Sequence, residues 1–294
     1  MKKVIFIADG HTYWLDAEDS LSKNPIPQKP GQIVEIPSVG SVYGKYFPEF
    51  DTQYWLTNGT LKVLMEDKLK EQRKSIGGFK PPAEAVFGPL LPLVSPEEFF
   101  KKRVELQSHW NFKGKNSCFL GSKFHKKLEN QAIASGFVIN PWTSEKFKLI
   151  HDEKWFDNES VCEDLYDLED GAYAELLVFD LDLNIAGQID ECFIKSRGKT
   201  RKVWINDHKS NEEKPSTSSP DWAWGPLKHL NASKHSRYSM QLSTYGYILQ
   251  KAGFVVQDIG YTFYKNYDEA KKEHIKIKPL FAEVEAILAE SALS

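Results

Sequence analysis

"GQIDECFIKSRGKTRKVWINDHKS", residues 187–210, decides the fold. Two runs of strand-forming residues flank Gly198-Lys199, and glycine first in a two-residue loop favours a type II′ hairpin turn. In that register the paired residue numbers sum to 397, so Asp190 stands opposite Asp207. Strand alternation then puts Asp190, Asp207 and Lys209 on one face of the hairpin. Carboxylates so placed have Cβ atoms about 5 Å apart. Their mutual repulsion is of order 4 kcal/mol at an effective dielectric of about 20. Lys209 can neutralise one of them, whereas a divalent cation can satisfy both. Oxygen ligands with an open coordination sphere point to Mg²⁺ or Mn²⁺. The hairpin alone leaves a second reading open, an exposed acid pair that meets no metal.

Outward from the hairpin, "AYAELLVFDLDLNIAGQIDECFIK" gives two strand-like runs around a short turn near Asp182-Leu183-Asn184. The segment 152–182 is acidic, which reads as a solvated surface. "SRYSMQLSTYGYILQKAG" reads as a helix with Gly253 at its end, and "FVVQDIGYTFYK" as a further strand. "PLFAEVEAILAES" closes the chain as an amphipathic helix with Phe281, Val284, Ile287 and Leu288 on one face. Upstream, "GSKFHKKLENQAIASG" is a helix ended by Gly136. Another helix starts at Ser95-Pro96-Glu97-Glu98, with an N-cap, proline in the first turn and early acids. Residues 52–74 look helical, and "GGFKPPAEAVFGPLLPLVSP" reads as a connecting loop. "KKVIFIADGHTYWLD" reads as two short strands around Gly10, and "IVEIPSVGSVYGKYF" begins as a strand. The expected architecture is α/β: a mixed central sheet with an antiparallel hairpin, flanked by helices. An N-terminal α+β extension, residues 1–110, is expected to pack on a core of residues 111–294.

A chain of 294 residues can bury a substantial core, and 41% apolar with 27% charged residues is ordinary for a soluble globular protein. The net charge of −3 means that any nucleic acid must be held by a local positive patch or bound cations. The three cysteines form no CxxC and no Cys/His cluster, which argues against disulfides, structural zinc and iron–sulfur clusters and for a reducing compartment. The apolar part of "MKKVIFIADG" is too short for a signal peptide, and no segment approaches a membrane span.

Two further spacings stand out. His125 and Glu129 lie four residues apart on one helical face, as do Gln241 and Tyr245. Alone, each reads as a core or packing pair. Taken in order, however, "GSKFHKKLE", "AELLVFDLDLNIAGQID", "VWINDHKS" and "QLSTY" resemble the PD-(D/E)xK nuclease superfamily. More narrowly they are similar to its RecB-like exonuclease branch, with the signature G-x-x-x-H-x-x-x-E, G-x-I-D, D-x-K, Q-x-x-x-Y over roughly residues 118–265. "HTYWLD" followed by "IPSVGSVYGKYF" is similar to the leading segment of phage and mitochondrial genome-maintenance members.

The resemblance implies a restriction-endonuclease-like core and hydrolysis of DNA with Mg²⁺ or Mn²⁺. It implies that His125, Asp190, Asp207 and the backbone carbonyl of His208 ligate the metal. Lys209 would orient the attacking water and stabilise charge on the phosphate, and Gln241 and Tyr245 would position the substrate strand or Lys209. Glu129 and Glu175 fit acidic positions and receive supporting roles. The basic hairpin tip with Arg197, Lys199 and Arg201, and Lys234 and Arg237 before the Gln/Tyr helix, are candidate phosphate contacts. Trp222, Trp224, Tyr238 and Tyr54 are candidate stacking platforms. The expected setting is replication, recombination or repair in the cytoplasm of a bacterial or phage-infected cell, on DNA ends or single strands, with a replication or recombination protein as a possible partner. A non-catalytic DNA-binding or assembly protein on the same fold and a structure-specific endonuclease are the alternatives.

Overall fold

The structure is a computed structural model that describes residues 4–7, 12–15, 34–49, 51–75, 94–150, 159–162, 165 and 168–293. At its centre is a five-stranded mixed sheet made of β7 (Gly171–Asp180), β8 (Ile185–Arg197), β9 (Thr200–Asn211), β10 (Phe254–Lys265) and β11 (Lys272–Lys276), in the order β11-β10-β9-β8-β7. All neighbours are antiparallel except β9 and β10. That parallel pair needs a crossover, supplied by α4 (Lys234–Lys251).

The hairpin that opens the sequence reading forms in the expected register. β8 and β9 pair from Arg197/Thr200 to Glu191/Asn206, every pair summing to 397, and Gly198 takes φ 63°. β7 and β8 pair around the turn at Leu181–Asn184. The central strands are apolar on both faces. Val203, Ile205 and Ile194 are wholly buried toward Met240, Leu242 and Leu249 of α4, while Phe193 and Trp204 pack with Phe147. The C-terminal α5 (Phe281–Leu293) buries Val284, Ile287 and Leu288 in the larger core, as its spacing required.

Several short elements were not read from sequence: the hairpin of β4 (Phe137–Ile139) with β5 (Lys146–Lys148), β6 (Glu159–Cys162), β11 and the helix α1 (Val39–Gly44). The acidic segment was also misread in part, since β7 is buried along most of its length. A second sheet runs β3-β2-β1-β6, with β1 Val4–Ile7, β2 Thr12–Leu15, β3 Val34–Ile36 and β6 Glu159–Cys162. The Gly10 turn and the loop over 76–93 lie outside the described residues.

The chain groups into two compact units, Met1–Pro48 with Gly121–Ser294, and Glu49–Leu120. They do not part at the expected residue 110. The described residues up to Pro48 group with the core for a physical reason: β1 pairs with β6, Ala186 N–H donates to Pro37 O at 3.1 Å, and Val39 is buried in the main core. The smaller unit contains α2 (Thr52–Ser75) and the first part of α3 (Pro96–Ser135). α3 is one 40-residue helix where two were expected. It opens with a reciprocal cap: Ser95 Oγ accepts from Glu98 N–H and Glu98 Oε2 accepts from Ser95 N–H, both at 3.1 Å. It ends at Gly136 with φ 69°. Among the described residues no helix is long and apolar enough to cross a membrane.

Candidate metal centre

Three elements bring donor atoms together. α3 carries His125, β7 carries Glu175 and β8 carries Asp190, and one donor atom from each lies within 4.8 Å of the others. His125 Nδ1 stands 3.5 Å from Asp190 Oδ2. The same carboxylate oxygen accepts the backbone N–H of His208 at 2.6 Å.

Backbone pairing is interrupted at this point. The β8–β9 register ends at Glu191/Asn206, one step short of Asp190. The β7–β8 register runs Ala174/Glu191, then Leu176/Ile189, skipping the Glu175/Asp190 rung. Glu175 is the reason on β7: its φ is 56°, a left-handed conformation that costs a non-glycine residue of order 1–2 kcal/mol. The strained residue is thus one of the three that meet.

Asp207 and Lys209 form a direct ion pair beside the group, with Lys209 mostly buried. Lys209 Nζ also lies 4.8 Å from the centre of the Tyr238 ring. The electrostatics follow from packing several acids away from water. Burial, then the nearby Asp190 and Glu129, pushes the Glu175 carboxyl well above the usual carboxylate range. Burial and Asp190 likewise raise Asp207 despite Lys209. Asp190 goes the other way: burial opposes its ionisation, but His125, His208 and Lys209 outweigh it and hold its carboxyl low. Burial disfavours the ammonium of Lys209, yet Asp207 and Asp190 keep it protonated above its ordinary value. A lysine so held is a fixed positive charge, not a base. The donor set fits a divalent cation. It offers one imidazole nitrogen and two carboxylates at convergent positions, and the repulsion that raises Glu175 is what a cation would relieve.

The expected residues divide as follows. His125 and Asp190 are in the converging group. Asp207 is one strand over, in contact with Lys209 rather than His125. The His208 ring turns to Glu191 and Tyr264, and its N–H touches Asp190. Glu129, buried and four residues from His125, accepts from Lys126 Nζ at 2.8 Å and lies outside the group of three. Glu175 is a member rather than a supporting residue. The turn expected near Asp182–Asn184 spans Leu181–Asn184, so the β7–β8 pairs sum to 365 and Glu175 comes level with Asp190 at the skipped rung.

Gln241 and Tyr245 do meet: the Gln241 amide donates to the Tyr245 hydroxyl at 3.0 Å. The Tyr245 ring explains the glycine of "GQID". A Cβ on Gly187 would stand 2.4 Å from Tyr245 Cε1 and 3.1 Å from Val39 Cγ2. Tyr245 is itself buried, so it acts by packing on β8.

The expected phosphate contacts are more scattered. Arg197 and Lys199 are exposed at the hairpin tip, seven rungs from Asp190/Asp207, about 23 Å at about 3.3 Å per residue. Arg201 instead donates to Leu168 O and stacks on Phe254. Arg237 donates to Pro48 O at 2.6 Å and lies over the Phe47 ring, so it ties the α1 (Val39–Gly44) region to α4. Lys234 is exposed in the first turn of α4. Trp222 and Trp224 are exposed, Tyr238 is half-buried beside Lys209, and the Tyr54 side chain is outside the described residues. No protein-family model and no curated protein matches the chain.

Proposed function

We propose that the chain is a Mg²⁺- or Mn²⁺-dependent deoxyribonuclease on a restriction-endonuclease-like core, hydrolysing phosphodiester bonds of DNA. The observation that carries this reading is the convergence of His125, Glu175 and Asp190 within 4.8 Å, beside a buried Asp207–Lys209 pair. The sequence order of these residues, matching that of RecB-like exonucleases, selects phosphodiester hydrolysis from the reactions that acid clusters support.

His125, Glu175 and Asp190 would hold the cation, with Asp207 adjacent. A bound cation supplies an acidified water and neutralises a phosphate oxygen. The chain's own residues do the rest. The His208 N–H fixes the orientation of Asp190. Lys209, kept protonated by Asp207 and Asp190, presents a permanent positive charge to the phosphate and orients the water. Tyr238 limits where that ammonium can go, and Tyr245 with Gln241 braces β8 beneath it.

The test is cleavage of end-labelled linear DNA with Mn²⁺, Mg²⁺ or EDTA, by the native protein and by Lys209→Ala. Metal-dependent cleavage lost in the variant supports the reading. Absence of cleavage with either ion, or cleavage surviving Lys209→Ala, overturns it. Cutting of linear but not closed circular single strands would assign exonuclease action, and cutting of both would assign the endonuclease alternative.

A further inference from the structure

On the side of β9 away from Asp207 and Lys209 lies a buried polar chain that the proposed reaction does not use. Glu191 follows Asp190 on β8, and His208 follows Asp207 on β9. Glu191 Oε1 stands 3.4 Å from His208 Nε2, and Glu191 Oε2 accepts from Asn206 Nδ2 at 2.7 Å. Asn206 Oδ1 accepts from Thr262 Oγ1 at 2.9 Å, so both oxygens of Glu191 and both ends of the Asn206 amide are engaged. Thr262 Oγ1 is 2.8 Å from His274 Nδ1 on β11. A hydroxyl has one proton, so with Thr262 donating to Asn206, His274 must donate to Thr262. The Tyr264 hydroxyl lies 3.3 Å from His208 Nδ1 and completes the ring's contacts. Asn206, His208 and Thr262 are all buried.

This chain sits where the β8–β9 ladder stops. Its last backbone rung is Glu191/Asn206. Beyond it, the strands are joined by the Glu191–His208 side-chain pair on one side and by His208 N–H to Asp190 Oδ2 on the other. β9 stays paired with β10 through Asn211, and the grip on the His208 ring is the added hold on the β8 side, where the His208 amide meets Asp190.

We infer that Glu191 is a positioning residue: gripping the His208 ring, with Asn206 and Thr262 behind it, it aims the His208 N–H at the carboxylate that faces His125. The inference rests on the metal-centre reading for its consequence, not for its geometry. A fully satisfied polar network of this kind fixes one arrangement, and partners of ligand carboxylates set metal affinity.

The test uses full-length protein labelled with [¹⁵N]histidine, which gives at most eight backbone histidine signals. That of His208 is assigned by its loss in His208→Gln. In EDTA, the short bond to a carboxylate places the His208 amide proton downfield. Glu191→Ala moves it upfield and weakens Mn²⁺ binding, measured by calorimetry, about 10- to 100-fold. Glu191→Gln keeps one acceptor for the ring while losing the one for the Asn206 amide, so it moves the signal and the affinity less than Glu191→Ala does. An unmoved His208 signal with native Mn²⁺ affinity in Glu191→Ala overturns the inference, whatever happens to its melting temperature. Should that variant not fold, Thr262→Val gives the same two shifts at smaller amplitude, and the absence of both refutes the chain. A native protein that binds no Mn²⁺ rejects the metal centre, while the amide signal still decides whether Glu191 positions His208.

Discussion

Replacing Glu175 by Gln should make the metal-free protein more stable and take away most of the stabilisation that Mn²⁺ confers. Glu175 and Asp190 have oxygens within 4.8 Å of one another, so two ionised carboxylates there repel by about 3.5 kcal/mol at an effective dielectric of about 20. Burial and Asp190 push the Glu175 carboxyl well above the usual carboxylate range, which favours its neutral form and relieves part of that repulsion. The gain left for Gln is about 1–2 kcal/mol, which for a unit of about 150–250 residues raises the melting temperature by about 2–8 °C in EDTA. Mn²⁺ acts mainly on the native protein. At a concentration one hundred times its Kd it stabilises the native protein by about 2.7 kcal/mol. The variant, with a neutral amide in place of a ligand carboxylate, should gain less than about 1 kcal/mol at the same concentration. Thermal unfolding of both proteins in EDTA and in Mn²⁺ measures all four values. A variant that melts lower in EDTA, or that keeps the full Mn²⁺ increment, refutes the reasoning.

Gly187→Ala should cost about 1–3 kcal/mol, because its methyl group would press into Tyr245 and Val39. Combining it with Tyr245→Ala should recover part of that loss, and strictly additive effects in chemical denaturation would contradict the packing argument. Arg197→Ala with Lys199→Ala, at the hairpin tip, should leave kcat within about twofold, since neither reaches the acids, and should change only KM and its salt dependence. A large fall in kcat would bring the tip into the reaction. For His208, burial opposes the imidazolium, but Glu191 and the neighbouring aspartates raise its pKa to about 9. Its stabilising contribution is complete below the unfolded value near 6.5 and is lost as pH rises through about 9. The melting temperature in EDTA should therefore fall over that interval, and His208→Gln should flatten the profile.

What the sequence disclosed depended on how locally each feature was specified. Gly198-Lys199 is a two-residue turn, and such a turn fixes register outright, so the pairing of β8 with β9 was legible from the hairpin alone. The capping residues around Ser95 and Gly136 marked both ends of α3, but not its continuity. Nothing between them breaks a helix, and the glycines at 114 and 121 were tolerated inside it. Glu175 was hidden by the acidic composition of its neighbourhood, which resembled solvated surface, and by a left-handed backbone that no residue type announces. β11 and the β4–β5 hairpin are strands of only three to five residues without a sustained alternating pattern, and tertiary pairing, not propensity, makes them strands. Arg201 and Arg237 show the limit of charge patterning. Both were counted as phosphate contacts, and both spend their guanidinium groups on backbone carbonyls and aromatic faces.

The most direct test is an anomalous-scattering map from crystals of the native protein soaked in Mn²⁺. A peak within coordination distance of His125, Glu175 and Asp190 together, about 2.0–2.3 Å from each donor, is the expected result. A saturating soak that leaves those three side chains without a shared peak would contradict the account.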